Sequence, residues 1–350
     1  MATVWFWLVA LLLTVYVILD GFDLGVGAVF LYVARSDTER RTVLGSIGPV
    51  WDANEVWLLG AGGSLVLAFP RVYASSFSGF YLPLMIVLWL LILRAVAIEV
   101  RGHVGGPVWR PFWDVVFSVA SLLLAVFLGA ALGNVVRGVP LGPDGYFFAP
   151  LWTTFGIRGP RMGILDWYTV TVGVTGLLAL AHHGALWVVM KTEGETNRRA
   201  HRVAEWTWPA LVVFVALVTV LTFRIQPHVP AHMNAAPVGY VLPALALAGL
   251  GGSRWLLRRG GERGAFLASA LFLSGMLLSV AFGLYPMILP AANDAAASLT
   301  VHNAAAPTYG LSVALRWWIP GMLLAAGYTA FIYRRMGGKT SAQGAEGEGY

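Results

Sequence analysis

The sequence predicts an all-α polytopic membrane protein with nine transmembrane helices, and three observations lead to this class. Of its 350 residues, 58% are hydrophobic and 11% are charged, whereas soluble domains carry about 25% charged residues. Apolar runs of about 20 residues, the length that crosses a bilayer as a helix, recur along the chain. Arginine and lysine are concentrated in every second loop between these runs, as expected for helices that cross in alternating directions.

The apolar runs define one membrane domain, residues 1–336. The first run is too long, and too poor in basic residues ahead of it, for a cleaved signal peptide. The loop 191–205 suits a division into two four-helix units plus one extra helix. The tail 337–350 has the composition of a linker, and we expect it to be disordered and cytoplasmic. The predicted spans are 4–33, 50–69, 78–100, 112–136, 165–190, 206–224, 238–257, 264–286 and 308–333.

Loop charges predict the orientation. The loops after even-numbered spans hold few basic residues, namely Arg71, Arg137, Arg158, Arg161 and Arg224. The loops after odd-numbered spans hold many more: Arg35, Arg40, Arg41, Arg101, Arg110, Lys191, Arg198, Arg199, Arg202, Arg258, Arg259, Arg263, Arg334, Arg335 and Lys339. By the positive-inside rule the N-terminus lies outside and the C-terminus lies in the cytoplasm.

Composition also limits the cofactors and partners that this chain can bind. The chain has no cysteine, which excludes disulfides, iron–sulfur clusters, thiolate-ligated haem and covalent c-type haem. The net charge of +6 is explained by the cytoplasmic loops, so we expect no nucleic-acid partner. The motifs of nucleotide sites and of HExxH metal sites are absent from the sequence, and we expect no metal ligands.

Four acidic residues lie in the first two spans, and they are the best clue to function. Asp20 and Asp23 lie inside the first span, and Asp52 and Glu55 begin the second. A carboxylate at mid-membrane depth costs about 2.5–3.5 kcal/mol on insertion scales. The predicted topology brings all four to the cytoplasmic half of one helix hairpin, and each pair has the i, i+3 spacing of a shared helix face. Close carboxylates in a low dielectric cannot all be ionised, so the cluster can exchange protons.

Structural alternatives stay open for this cluster. Asp52 follows Pro49 and is also placed to be a helix cap or a first-turn acid. Glycines beside Asp20 and Asp23 allow a close helix contact; they are Gly21, Gly25 and Gly27. Arg94 is the natural countercharge, followed by Glu99 and Arg101 at the inner boundary. A network of Arg94 with these carboxylates could equally serve to hold the helices in register, rather than to handle protons.

His182 and His183 lie near the middle of the fifth span. Histidine is the common axial ligand of b-type haem, which usually needs a second ligand at matching depth. The other five histidines lie at or outside the ends of spans: His103, His201, His228, His232 and His302. We therefore expect packed or proton-handling histidines and no haem ligand in this chain.

Nine blocks of sequence from near the N-terminus to past residue 310 are distinctive. They are DGFDLGVG (20–27), SDTERR (36–41), SIGPVWDANEVWLLGAGG (46–63), FPRVYASSFSGFYLPLM (69–85), LRAVAIEVRG (93–102), GNVVRGVPL (133–141), HHGALWVVMKTEGE (182–195), YPMILP (285–290) and SLTVHNAAAPTYGL (298–311). In this order they resemble subunit II of cytochrome bd quinol oxidase. The resemblance covers almost the whole chain, and the combination of blocks is highly specific.

The resemblance implies two four-helix bundles plus a peripheral helix, in a bacterial inner membrane. It implies a complex that oxidises quinol and reduces O2 to water, with two b-type haems and one d-type haem ligated by subunit I. Some members hold a structural quinone in subunit II, and small single-span accessory subunits are further partners. Acids matching Asp23 and Asp52 lie on a proton path from the cytoplasm in this family, and Asp20 and Glu55 match neighbouring polar positions.

Two other functions compete with this hypothesis. A proton-coupled transporter would use the same buried acids to drive a solute, although such folds usually show repeats or discontinuous helices at the midplane. A structural scaffold would use the acids for helix packing alone. Substitution of Asp23 separates a proton path from a scaffold, and co-purification with a haem-bearing chain separates an oxidase from a transporter.

Overall fold

The computed structural model describes residues 1–157, 159 and 162–340. Two short strands, β1 (Met287–Leu289) and β2 (Leu299–Thr300), pair antiparallel, and single 3-10 turns occupy Pro237–Tyr240 and Ala295–Ala297. The helices are α1 (Ala2–Val33), α2 (Asp37–Ile47), α3 (Trp51–Ala68), α4 (Pro70–Gly79), α5 (Tyr81–Val100), α6 (Trp109–Arg137), α7 (Trp167–Lys191), α8 (Gly194–Ile225), α9 (His228–Ala235), α10 (Val241–Arg258), α11 (Glu262–Leu284) and α12 (Thr308–Arg335).

The predicted class, an all-α polytopic membrane protein, is confirmed. Across the described part of the chain, seven helices are long and apolar enough to cross a membrane: α1, α5, α6, α7, α8, α10 with the turn before it, and α11. The predicted spans 50–69 and 308–333 form α3 and α12, which do not meet the same test alone. An eighth span results only if α3 and α4 are taken together. The count of nine stays a prediction.

A sharp bend separates α3 from α4. The two helices meet at 119°, with Phe69 between them and Pro70 at the start of α4. Proline has no N–H to donate to the preceding turn, so α3 ends there, whereas its fixed φ suits the first position of a new helix. The chain therefore turns aside at the end of α3.

The core lies where α1 crosses α7. Every residue from Asp20 to Gly27 is buried, and α1 also packs against α3, α6 and α11. A Cβ atom added at Gly25 would overlap the carbonyl oxygen of Leu180, and one at Gly184 would overlap the backbone of Gly25. The predicted close contact at the glycines of α1 is thus a backbone-to-backbone approach that a larger residue would prevent.

Around this crossing the helices pack mainly with their neighbours in sequence. In the first half of the chain α1 contacts α3 and α6, and α5 contacts α6. In the second half α7 contacts α8 and α11, and α10 contacts α11. Leu311 is the only residue of α12 that is buried, so α12 lies at the edge of the molecule.

A helix that was not predicted occupies the first basic loop. The N-terminus of α2 is a capping box, in which Ser36 Oγ accepts from Glu39 N at 3.2 Å and Glu39 Oε2 accepts from Ser36 N at 3.0 Å. Glu39 also forms an ion pair with Arg199 of α8 and accepts from Arg35 N at 2.7 Å. Partial burial opposes ionisation of Glu39, but the bonds from Arg199, Arg35 and Ser36 lower the pKa of its carboxyl group.

We expect Glu39 to stabilise the protein in a pH-dependent way. Because its pKa in the folded state lies below that in the unfolded state, the stabilisation is present above the unfolded value and is lost as the pH falls through the folded value. The Tm of wild type should therefore exceed that of Glu39→Gln by most near neutrality, and the two Tm values should converge as the pH falls below about 4. Glu193→Gln, at an exposed glutamate, is the control, and a constant difference at all pH values would contradict the assignment.

The end of the molecule opposite α2 is covered by two connecting segments, of which the structure describes 138–157, 159 and 162–166 in the first and 286–307 in the second. They hydrogen-bond to each other through Val139, which donates to Pro290 O at 3.0 Å and accepts from Ala292 N at 2.9 Å. Asp166 caps α7 by accepting from Tyr168 N at 2.7 Å and forms a buried ion pair with Arg137. These contacts hold the ends of the first segment against α6 and α7. Arg158 and Arg161, used for the orientation, lie outside the described residues.

The first residues of the predicted tail contact α7. Thr340 N donates to Lys191 O at 2.8 Å, and Lys191 Nζ donates to the carbonyl oxygens of Met336 and, at 3.3 Å, Gly338. Lys339 lies 2.9 Å from a carboxylate oxygen of Glu262. These contacts hold the end of α12 against α7 and α11. Residues 341–350 of the predicted tail lie outside the described residues.

Candidate functional site

Two of the four predicted acids lie in the core of the molecule. Asp20 and Asp23 are 0% exposed, on the segment of α1 that is buried on all sides. The groups that face them come from α3, α5 and α12, which are distant in sequence. The site is therefore assembled only when these helices pack around α1.

Arg94 of α5 joins two acids from different helices. Its Nη1 donates to Asp20 Oδ1 at 2.7 Å, and its Nη2 donates to Glu55 Oε1. Arg94 is itself 0% exposed, whereas the Glu55 side chain is 26% exposed. The planar guanidinium group can hold two carboxylates at once, which an ammonium group does with less geometric control. Arg94 thus connects a partly accessible acid to a fully buried one.

Asp23 belongs to a second chain of hydrogen bonds. Asn54 Nδ2 donates to Asp23 Oδ2 at 2.8 Å and to Leu19 O at 3.2 Å. Tyr333 of α12 donates from its hydroxyl group to Asn54 Oδ1 at 2.8 Å. With both ends of its amide engaged, Asn54 is fixed with its NH2 group toward the carboxylate.

The Tyr333 ring is held by aromatic neighbours. Its centroid lies 6.4 Å from that of Phe22 and 6.2 Å from that of Trp187. Phe22 and Trp187 themselves stack at 3.9 Å. The contacts of Lys191 with the end of α12 fix the same helix a few residues later. The peripheral helix α12 thus supplies one specific polar group to the core.

Three buried oxygen atoms on one face of α1 have no hydrogen-bond partner in the described part of the chain. They are Tyr16 Oη, Asp20 Oδ2 and Asp23 Oδ1, and the spacing i, i+4, i+7 aligns their side chains. An unsatisfied buried polar atom costs about 1–3 kcal/mol, and more when it is charged. Carboxyl oxygens in this position are satisfied by water or by taking up a proton.

The structure places Asp52 apart from the other acids. Its side chain is exposed, in the first turn of α3. The same face of α3 carries Val56 and Leu59, which are 51% and 74% exposed. Beyond the adjacent residues and backbone of α3 itself, no described atom lies within 4 Å of a Cβ built at Gly63, further along this face. This face of α3 is therefore uncovered in the isolated chain.

Arg101 and Glu99 do not join the acids of α1. Arg101 donates to Asp114 at 2.6 Å and to Asp37 at 2.8 Å, and Arg40 also donates to Asp114, at 2.8 Å. Burial opposes ionisation of Asp37, but its hydrogen bond with Arg101 and the surrounding arginines lower its pKa. The Glu99 side chain is exposed. This second network ties α2 to α5 and α6 at the basic end of the bundle.

Both histidines of α7 are fully engaged. His182 bonds Thr207 through Nδ1 and Ser253 through Nε2, each at 3.2 Å. His183 bonds Ser269 through Nδ1 at 2.7 Å and Ile18 O through Nε2 at 3.0 Å. A haem iron needs one of these nitrogens as a free lone pair, so the arrangement does not fit haem ligation. The hydroxyl and carbonyl partners fit histidines that connect α7 to its neighbours.

Sequence reasoning missed Asn54, Tyr333 and Tyr16. These three side chains carry no charge at neutral pH, so they do not stand out inside an apolar run as carboxylates do. Asn54 lies between Asp52 and Glu55, and its position inside a span was a usable signal. Tyr333 is the last residue of the ninth predicted span, next to Arg334, and nothing in the sequence links it to Asp23.

Comparison with known proteins agrees with this architecture. The chain matches the family model of cytochrome bd terminal oxidase subunit II over residues 1–336. It is 30% identical to "Probable cytochrome oxidase subunit 2" of Haemophilus influenzae (97% of this chain, 95% of the relative) and 30% identical to "Cytochrome bd-I ubiquinol oxidase subunit 2" of Escherichia coli (98% and 96%). The Bacillus subtilis "Cytochrome bd ubiquinol oxidase subunit 2" is 29% identical, over 95% of both chains.

A solved structure shows the same fold. A chain of the bd oxidase from Geobacillus thermodenitrificans superposes with a TM-score of 0.73 at 18% identity, covering 95% of this chain and 97% of that one. Together with the family match across nearly the whole sequence, this places the chain in the cytochrome bd terminal oxidase subunit II family.

Proposed function

We propose that this chain supports the haem-bearing subunit I of a quinol:O2 oxidoreductase and conducts protons to it from the cytoplasm. The observation that carries the proposal is the buried cluster of Asp20, Asp23, Glu55 and Arg94. The cluster holds three carboxyl groups and one guanidinium group, which pairs with Asp20 and Glu55, so full ionisation would leave excess negative charge in a low dielectric. Protonation of one carboxyl group removes this excess charge and therefore stabilises the cluster.

The accessible end of the path is the first turn of α3. Asp52 is exposed, Glu55 is partly exposed and Asp20 is fully buried, with Arg94 between the last two. Exposure therefore falls step by step from the helix end to the core. Arginine holds its own proton too tightly to relay it, so Arg94 keeps the acids in place while protons move through carboxyl groups and water.

The second branch reaches Asp23 through Asn54. The amide cannot titrate, but its NH2 group stabilises the Asp23 carboxylate and its orientation is set by Tyr333. The unpartnered Asp23 Oδ1 and Asp20 Oδ2 give both acids an oxygen that is free to accept a proton or bind water. Tyr16, one turn before Asp20 in α1, extends the same line of buried oxygen atoms.

The uncovered face of α3 supplies the contact with subunit I in this proposal. A carboxylate at Asp52 is costly against lipid chains, and the open space beside Gly63 allows another helix to approach closely. A subunit I helix on this face would cover Leu59 and Val56 and bring Asp52 into the complex. Protons collected here would then pass between the two chains.

We place all haems, two of b type and one of d type, in subunit I. The support from this chain is that both nitrogens of His182 and of His183 already have partners. We further propose nine crossings, with α3 and α12 as spans beside the seven apolar helices. The basic residues at the α2, α8 and α10 ends favour the cytoplasm for that side, in a bacterial inner membrane, with the N-terminus outside.

Purification tests the assignment. We expect this chain, expressed with its neighbouring subunit, to form a complex whose haem spectra are unchanged by His182→Gln or His183→Gln in the fraction that assembles. The physical reason is that these side chains make interhelical hydrogen bonds only. Recovery of the chain without any haem-bearing partner would favour the proton-coupled transporter, and loss of one haem band in either variant would place a ligand in this chain.

A further inference from the structure

We infer that a cavity at the cytoplasmic ends of α1 and α8 binds a phosphate group, as found in an anionic phospholipid headgroup or as the free ion. The cavity measures about 430 Å³ and is lined by Arg35, Arg198, Arg199, Arg202 and Glu195. It is separate from the acidic cluster, and the inference does not rest on the proposed proton path.

The charges around the cavity are not balanced. Arg198 pairs with Glu195, and Arg199 pairs with Glu39. Arg35 and Arg202 are exposed and have no carboxylate partner in the part of the chain that the structure describes. Two guanidinium groups with free donors therefore face one cavity, and planar guanidinium groups match the oxygens of a phosphate.

The backbone adds to the same polarity. Helix α8 begins at Gly194, and the side chain of Glu193 before it caps none of the first N–H groups. A helix N-terminus carries a partial positive charge and free amide donors. The cavity beside the first turns of α8 thus combines the arginines with a second source of positive potential.

Two aromatic rings just inside the membrane boundary favour a lipid as the source of the phosphate. The Arg35 guanidinium lies 5.7 Å from the centroid of the Tyr32 ring, and Tyr32 lies 6.2 Å from Trp206, which is 63% exposed. Tyrosine and tryptophan sit at the level of lipid headgroups, and basic pockets between helices on the cytoplasmic side bind anionic headgroups.

The test compares two pairs of exposed arginines on the same side of the membrane. Native mass spectrometry of the whole oxidase complex, titrated with cardiolipin, would be run on wild type and on Arg35→Gln/Arg202→Gln. The control is Arg258→Gln/Arg259→Gln, where Arg259 also covers an aromatic ring, 4.1 Å from the Trp255 centroid. We expect about tenfold weaker cardiolipin binding in the first variant and less than about twofold in the control.

A second arm identifies the source. Inorganic phosphate at millimolar concentration should leave bound cardiolipin in place if the site is built for lipid, and should displace it from wild type if the site serves the free ion. Equal weakening in both double variants would mean general surface attraction and would overturn the inference, as would no weakening in either. If Arg35→Gln/Arg202→Gln fails to assemble, Arg202→Gln and Arg202→Lys replace it, and the inference then requires weaker binding in the first and recovery in the second.

Discussion

We expect Asp23→Asn to lower quinol-oxidase turnover by about 100-fold while the complex still assembles, in line with the loss of a positioned acid–base group. Asparagine has nearly the same shape, and its carbonyl oxygen can still accept the 2.8 Å hydrogen bond from Asn54. What is lost is the capacity to take up and release a proton. Steady-state oxygen consumption, measured per spectroscopically counted haem, gives the result.

Asp114→Asn is the matched control for this substitution. Asp114 is also buried, at 1% exposure, but it lies in the network of Arg101 and Arg40. For Asp114→Asn we expect a lower yield of the complex, and the complex that does assemble should have nearly normal turnover. Tyr333→Phe, which removes only the hydroxyl group that donates to Asn54, should give a smaller loss of turnover than Asp23→Asn. Normal turnover in Asp23→Asn would support the scaffold hypothesis.

Arg94→Gln should have the largest effect on stability. Removing the guanidinium group leaves Asp20 and Glu55 without their ion-pair partner, and breaking a buried pair in this way costs about 3–5 kcal/mol. Because Asp20 is 0% exposed, water cannot replace the lost interaction without a change of packing. We expect little assembled complex, and a much lower Tm for any that is recovered.

A second substitution distinguishes lost charge pairing from lost packing. Arg94→Gln/Asp20→Asn removes both charges of the buried pair, so it should recover part of the stability, as expected when two residues in direct contact are coupled. Arg94→Lys keeps the charge but not the fork to both acids, and should fall between wild type and Arg94→Gln. A stable, well-assembled Arg94→Gln complex would show that the pair is not structural.

The sequence predicted most of the helices because hydropathy over 20 residues is a strong local signal. It missed α2, since that helix is short and amphipathic and was counted as a basic loop. The signal was present: Ser36 followed by Glu39 is the pattern of a capping box. The bend after Ala68 was also missed, although Pro70 marks a helix start as clearly as it marks an end.

The candidate site was predicted in part. Carboxyl groups inside an apolar run require an explanation, which singles out Asp20 and Asp23, and Arg94 is their natural countercharge in the sequence. In the structure Arg94 pairs with Asp20 and Glu55 and not with Asp23. Only the structure shows which of the other two acids, Asp52 or Glu55, joins the buried cluster. Spacing of i, i+3 puts Asp52 and Glu55 near one helix face, but Glu55 contacts Arg94 while Asp52 is exposed in the isolated chain.

What the sequence by itself determined is the membrane class, the family and the unusual acids of the first two spans, because each depends on residues close together in the chain. What only the tertiary structure decided is which distant residues are in contact. Tyr333 donates to Asn54, 279 residues away in sequence, and Asn54 donates to Asp23, because α12 packs beside α1 and its end is held by Lys191 of α7. Local patterns carry no information about such long-range neighbours, because these contacts depend on how distant helices pack.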